Sequence, residues 1–189
     1  MTDVIAFFPG QGAQQVGMLS DISEQYSEIS ETFTEASDAL GIDLWKMVTD
    51  GPDSTLNQTF NTQPALLAAS TAVWRVVSKH SPALNVTAGA GHSLGEYSAL
   101  ACAESLTFSQ TIKLLRKRGH AMQSAVPEGQ GGMLAVLGSN IEVINEILDK
   151  NKDNFNCYVA NDNSVGQIVI SGNNKDLEKF SLELTNSKI

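Results

Sequence analysis

Val86-Thr87-Ala88-Gly89-Ala90-Gly91-His92-Ser93-Leu94-Gly95-Glu96-Tyr97-Ser98-Ala99-Leu100 reads as a strand, a tight turn and the opening of a helix. Val86 to Ala90 is short and built of small residues, as a central strand can be, and a helical pattern runs from Leu94 to Ala103. Between them stands Gly91-His92-Ser93-Leu94-Gly95, a Gly-x-Ser-x-Gly pentapeptide in the context that gives such a motif meaning. Glycines permit the strained strand-to-helix elbow that lifts a serine hydroxyl clear of its surroundings. The helix also points its free N–H groups at the site, where they can stabilise an oxyanion, and the N–H of Leu94 is the natural first donor. Ser93 is therefore the candidate nucleophile; the plain alternative is a serine in an ordinary turn.

Working outward, Val4 to Phe8 is a continuous apolar run stopped by Pro9-Gly10, the pattern of a buried strand entering a glycine-rich loop, Pro9-Gly10-Gln11-Gly12-Ala13-Gln14. An oxyanion hole needs a second donor from another loop, and the N–H of Gln11 is the candidate. A phosphate-cradling loop is the competing reading, but the Gly-Lys-Ser/Thr ending it requires is absent.

Helical spacing places Ile29, Phe33, Ala36 and Leu40 on one face, with Gly41 where a left-handed cap belongs. Thr62 can cap a second helix with Pro64 in its first turn, its buried stripe being Ala65, Ala69, Ala72, Val73 and Val76. Thr107 and Gln110 form a capping-box pattern for a further helix running to about Ser124. On that helix Leu114, Arg118, Ala121, Met122 and Ala125 share one otherwise apolar face. A guanidinium there must meet either a structural carboxylate or the carboxylate of a substrate, since burying it unpaired is costly. Arg116 and Lys117 point elsewhere and are expected to be solvated or to meet an acidic protein. His80, His92 and His120 are the only histidines, and none is well placed as the base of a serine nucleophile.

From Met133 the rhythm becomes β-α-β-β-α: strand 133–137, a helix with Ile144 and Leu148, strands 155–160 and 167–170, then a helix with Leu177 and Phe180. A ferredoxin-like unit is β-α-β-β-α-β, so the chain is expected to be cut short at Ile189. The break Pro127-Glu128-Gly129-Gln130-Gly131-Gly132 sets the expected domains at 1–127 and 128–189.

Composition excludes several classes. With 42% hydrophobic and 17% charged residues the chain is of globular type. A net charge of −9 speaks against non-specific nucleic-acid binding, the short run Arg116-Lys117-Arg118 notwithstanding. Cys102 and Cys157 show no metal-ligand spacing, so no metal is expected. No segment has the roughly 20 apolar residues of a membrane span, and the start Met1-Thr2-Asp3-Val4 lacks a basic leader region, so the protein is expected in the cytoplasm.

Phe8-Pro9-Gly10-Gln11-Gly12-Ala13-Gln14, Thr62-Gln63-Pro64-Ala65-Leu66, Gly91 through Leu100, Arg118-Gly119 and Asn161 through Gln167 together resemble the malonyl-CoA:acyl carrier protein transacylase family, in its motif order. The resemblance implies an α/β fold in which a large α/β-hydrolase-like domain carries a small ferredoxin-like subdomain, C-terminally truncated here. It implies ping-pong transfer of malonyl from coenzyme A to the phosphopantetheine thiol of acyl carrier protein, in fatty acid biosynthesis, with no cofactor beyond these thioester substrates. Ser93 would carry the malonyl ester, Gln11 and Leu94 would form the oxyanion hole, Arg118 would hold the malonyl carboxylate and Gln63 would line the pocket. The family's catalytic histidine would fall beyond Ile189, so the chain alone is expected to be weakly active or inactive. The elbow by itself would equally suit a serine thioesterase or esterase, and a non-enzymatic reading is a fragment that only binds coenzyme A or carrier protein.

Overall fold

The structure, a computed structural model, describes residues 2–127 and 129–187; Glu128 of the expected break, Met1 and the chain end at Ile189 lie outside the described residues. The chain divides into two compact units, residues 1–124 and 125–189.

The first unit opens with strand β1 (Thr2–Phe8), followed by helices α1 (Ser20–Ser23), α2 (Ser27–Leu40), α3 (Leu44–Asp50), α4 (Asp53–Leu56) and α5 (Thr59–His80). Strand β2 (Leu84–Gly91), helix α6 (Leu94–Cys102) and helix α7 (Phe108–Ser124) complete it. The two strands pair in parallel, Phe8 beside Gly91, so both chains leave the sheet at the same end. That shared exit is where the site forms. Ile29 and Phe33 of α2, Leu66 and Leu67 of α5, Leu94 of α6 and Ile112 of α7 are buried in one core. Helix α2 stops as its sequence demands: Gly41 takes φ 67° and returns its N–H to the Ser37 carbonyl. Helix α3 is capped by Asp43, whose carboxylate accepts from the Lys46 N–H at 2.9 Å.

Three expectations are corrected. The run Val4 to Phe8 forms a strand, but not a buried one: Phe8 is buried while Ile5 and Phe7 are 57% and 78% exposed. Side chains alternate across a strand, and the Phe8 face of this two-stranded pair packs against Trp74 of α5, leaving the Ile5 and Phe7 face open. Helix α5 begins at Thr59, earlier than Thr62, and carries Pro64 inside it. Thr62 does not cap it; its hydroxyl donates to the Leu56 carbonyl at 2.6 Å and ties α5 to the end of α4. On α7 the stripe through Leu114 and Met122 is not the buried one, these two being 46% and 43% exposed. The core face of α7 is Phe108, Thr111, Ile112, Leu115 and Gly119, one position round the helix, where it meets α2 and α5.

The second unit is β3 (Gly131–Leu137), α8 (Ile141–Lys150), β4 (Cys157–Ser164), β5 (Gln167–Asn173) and α9 (Asn174–Asn186). Its strands form an antiparallel sheet in the order β3-β5-β4. Ile144, Ile168, Ile170 and Phe180 are buried at its centre. Asn140 and Asn173 cap α8 and α9 by accepting from the N–H groups three residues on. Cys102 in the first unit and Cys157 in the second are both buried free thiols.

Candidate active site

Ser93 stands between β2 and α6 as the N-cap of the helix, at φ 54° and ψ −110°. A non-glycine residue rarely takes positive φ, and here the surrounding glycines enforce it. A Cβ on Gly91 would overlap the Gly95 carbonyl, and one on Gly95 would overlap the Phe8 carbonyl. The turn is closed by the Gly95 N–H donating to the His92 carbonyl at 2.9 Å. Leu94, the first residue of α6, is buried, and N–H groups of a first helical turn have no partner within the helix.

The Ser93 hydroxyl is not alone. Arg118 Nη2 donates to Ser93 Oγ at 3.0 Å, and Arg118 Nη1 donates to Gln63 Oε1 at 2.7 Å. Gln63 is fully buried, and its Nε2 meets Met122 Sδ at 3.2 Å. The guanidinium carbon also lies 5.7 Å from the centre of the Tyr97 ring, a cation–π arrangement. So α5, the elbow and α6 each send a side chain to one arginine of α7, whose fork is directed at Ser93. Among the described residues the partners of the half-buried guanidinium are neutral: an amide, a hydroxyl and a ring. Its approach depends on Gly119, where a Cβ would overlap the Phe60 backbone, so the glycine lets α7 lie directly on the start of α5.

Gln11 occupies the exposed turn after β1. That loop touches the elbow: a Cβ on Gly10 would lie 3.0 Å from both the carbonyl oxygen and Nδ1 of His92. It is braced from the other side by Gln14, which accepts from the Gly12 N–H at 2.8 Å and donates to Asn57 Oδ1 at 2.7 Å. Ser93, Arg118 and Gln63 are thus linked directly, Leu94 adjoins Ser93 in the chain, and Gln11 sits on a loop packed beside the elbow.

His80, His120 and Arg116 fall elsewhere. His80 lies 3.0 Å from Glu28, and His120 stacks on Phe60 with ring centres 4.3 Å apart. Neither belongs to the Ser93 cluster. Arg116 is not freely solvated, as its sequence position suggested; Nη1 donates to Asn61 Oδ1 at 3.0 Å, its guanidinium lies over Phe60, and partial burial lowers its pKa. Tyr97 was missed in the sequence, although its place four residues after Ser93 puts it on the same helical face. An apolar cavity of about 470 Å³ between the strands and α5, lined by Ala6, Phe8, Leu66 and Trp74, contains neither Ser93 nor Arg118 and no titratable group. Among the described residues no group of three or more His, Cys, Asp or Glu side chains converges on a metal position, and no helix is long and apolar enough to cross a membrane.

Residues 6–189 match the family described as acyl transferase domain. The malonyl CoA-acyl carrier protein transacylase of Haemophilus influenzae is 50% identical over 172 residues, 91% of this chain and 55% of the relative. An acyl carrier protein S-malonyltransferase from Vibrio cholerae shares 48% identity at a TM-score of 0.89, covering 96% of this chain and 59% of that one. The structure of a type II PKS acyl-carrier protein in complex with its malonyl-transacylase aligns at a TM-score of 0.91 with 43% identity, over 98% of this chain and 60% of the other. The chain therefore spans between 55% and 60% of the length of these relatives. With the fold, the elbow and the matched span in agreement, the chain belongs to the acyl transferase domain family.

Proposed function

We propose that this chain contributes the nucleophile and the acyl-selecting cation of a malonyl transferase, which moves malonyl from coenzyme A to the phosphopantetheine thiol of acyl carrier protein in fatty acid biosynthesis, in the cytoplasm. The observation that carries the proposal is the donation from Arg118 to Ser93 Oγ at 3.0 Å. In a malonyl thioester the carboxylate is one methylene from the reacting carbonyl. When Oγ attacks that carbonyl, the carboxylate lies within reach of the same guanidinium, which can grip it bidentately. An acetyl group offers nothing to grip.

The reaction balances without a cofactor. Ser93 gives up its hydroxyl proton as Oγ bonds to the carbonyl carbon, the C–S bond breaks, and coenzyme A leaves as the free thiol with a proton. The carrier thiol then attacks the seryl ester, its sulfur replaces Oγ, and Ser93 regains a proton. In both steps the tetrahedral oxyanion takes hydrogen bonds from the N–H of Leu94 and the N–H of Gln11. The half-filled first turn of α6 and the closeness of the glycine loop to the elbow support these two donors. Gln63 positions Arg118 from a buried site.

The same proposal gives residues 1–127 as the N-terminal part of an α/β-hydrolase-like domain, supported by the parallel strand pair and the serine elbow. Residues 128–189 are five of the six elements of a ferredoxin-like unit, supported by the order β-α-β-β-α and its antiparallel sheet.

The test is covalent. Incubation with malonyl-CoA, followed by peptide mass spectrometry, should place a malonyl group on Ser93, and Ser93→Ala should abolish it with a loss of roughly 10⁴-fold or more in transfer rate. An adduct at another residue, or undiminished transfer by the variant, would refute the proposal.

A further inference from the structure

Helix α7 comes closest to the start of α5 at Gly119, where an added Cβ would overlap the Phe60 Cα. At about 100° per residue, Arg118 lies on one flank of that contact, and Arg116 and His120 lie on the other. Both flanks are tied to one short stretch of α5, residues 60–63. On the first flank Arg118 donates to Gln63 Oε1 at 2.7 Å. On the second, the His120 ring lies nearly parallel to that of Phe60, with 7° between the planes and 4.3 Å between the centres. The Arg116 guanidinium sits over the same ring, 5.5 Å from its centre.

A helix resting on one contact line can roll about its own axis, and a roll displaces whatever projects from its sides. A rotation of about 20° carries a group roughly 6 Å from the axis through about 2 Å. The bonds from Arg118 to Gln63 at 2.7 Å and to Ser93 at 3.0 Å have no such slack, because a hydrogen bond is lost beyond about 3.5 Å. Phe60 resists the roll from the flank opposite Arg118. Two α7 side chains one turn apart grip its ring, one by stacking and one by a cation–π contact. The stretch that carries the ring is itself anchored: buried Asn61 accepts from Arg116 Nη1 at 3.0 Å and donates to the Thr55 carbonyl of α4 at 2.9 Å.

We propose that Phe60 is a positioning residue: through its contacts with His120 and Arg116 it fixes the roll of α7, aims the Arg118 fork at Ser93, and so sets the preference for a carboxylated acyl group. The preference rests on the malonyl-transfer reading above; the aiming of Arg118 does not. Phe60 touches no reacting atom. A misaimed fork loses its bidentate grip on a carboxylate, while an acetyl group makes no use of that grip.

The experiment compares the wild-type chain with Phe60→Leu, which keeps an apolar side chain but offers no ring, and with Phe60→Tyr, which restores one. Each is exposed to equimolar malonyl-CoA and acetyl-CoA, and the acyl group on Ser93 is read by mass. Phe60→Leu should lower the malonyl-to-acetyl ratio about tenfold with acetyl loading held, and Phe60→Tyr should return it to the wild-type value. A residue that only packs would lower both loadings together. An unchanged ratio in Phe60→Leu, or a ratio that Phe60→Tyr leaves low, therefore overturns the proposal. Should Phe60→Leu fail to fold, His120→Ala removes one side of the grip from an exposed position; the ratio should then fall about threefold, and an unchanged ratio overturns the proposal. A second readout needs no acyl group. The three arginines, Arg75, Arg116 and Arg118, give three side-chain Nε–H signals in protein labelled with nitrogen-15 arginine. The order parameter of the Arg118 signal should fall in Phe60→Leu or His120→Ala and recover in Phe60→Tyr. If wild-type Ser93 takes up no malonyl, the functional reading fails and this measurement decides: a fall supports the aiming role, and an unchanged Arg118 signal overturns it.

Discussion

Ser93 holds a backbone conformation, φ 54° and ψ −110°, that costs a side-chain-bearing residue about 1–3 kcal/mol. Glycine escapes most of that cost. Ser93→Gly should accordingly be more stable than Ser93→Ala by about 1 kcal/mol in urea unfolding, while both lose acylation; equal midpoints would mean that the elbow is unstrained. Gln63 is the complementary case, a buried amide whose oxygen fixes one arm of Arg118 at 2.7 Å. Gln63→Leu keeps the volume and removes the acceptor, so KM for malonyl-CoA should rise about tenfold with little change in acetyl loading. A proportional loss for both acyl groups would make Gln63 a general packing residue. At this scale the sequence was readable where the chemistry is local. The two glycines around Ser93 announce a turn that only they can make, whereas the Gln63 to Arg118 bond spans 55 residues and has no local signal.

Between elements, the close lie of α7 on the start of α5 is what aims Arg118, and Gly119 is its condition. Gly119→Ala would push the helices apart, costing about 1–3 kcal/mol and loosening the Arg118 to Gln63 bond. Malonyl loading should fall more than global stability accounts for, and a variant with normal loading would show that the contact does not matter. The two faces of α7 also explain a misreading. Leu114, Arg118 and Met122 recur with helical spacing as faithfully as Ile112, Leu115 and Gly119 do, so periodicity alone does not say which stripe is covered. In β1 the same limit applies: a run of apolar residues looks buried on both sides, but alternate positions face different surroundings, and Ile5 and Phe7 are exposed among the described residues. Gly41 was a better guide, because a helix end is decided within one turn.

At the scale of the whole molecule, pH and thiol chemistry give independent checks. The Glu28 carboxyl is held at about 2, against an ordinary 4.5, first by the hydrogen bond from Lys79, then by its own backbone and His80, with burial opposing. A carboxyl lowered by folding adds stability above its unfolded pKa and loses that contribution as pH falls from 4.5 towards 2. Glu28→Gln should therefore be less stable than wild type at pH 6, with the gap closing at pH 2; a gap independent of pH would contradict this. Burial pushes the Cys102 thiol up to about 11 and raises that of Cys157, so iodoacetamide at pH 8 should label neither in the native protein. The decisive measurement is intact-mass analysis of wild type and Arg118→Ala after exposure to equimolar malonyl-CoA and acetyl-CoA. Wild type should carry malonyl on Ser93 in at least roughly tenfold excess, and the variant should favour acetyl; the same partition in both proteins would contradict selection of the acyl group by Arg118.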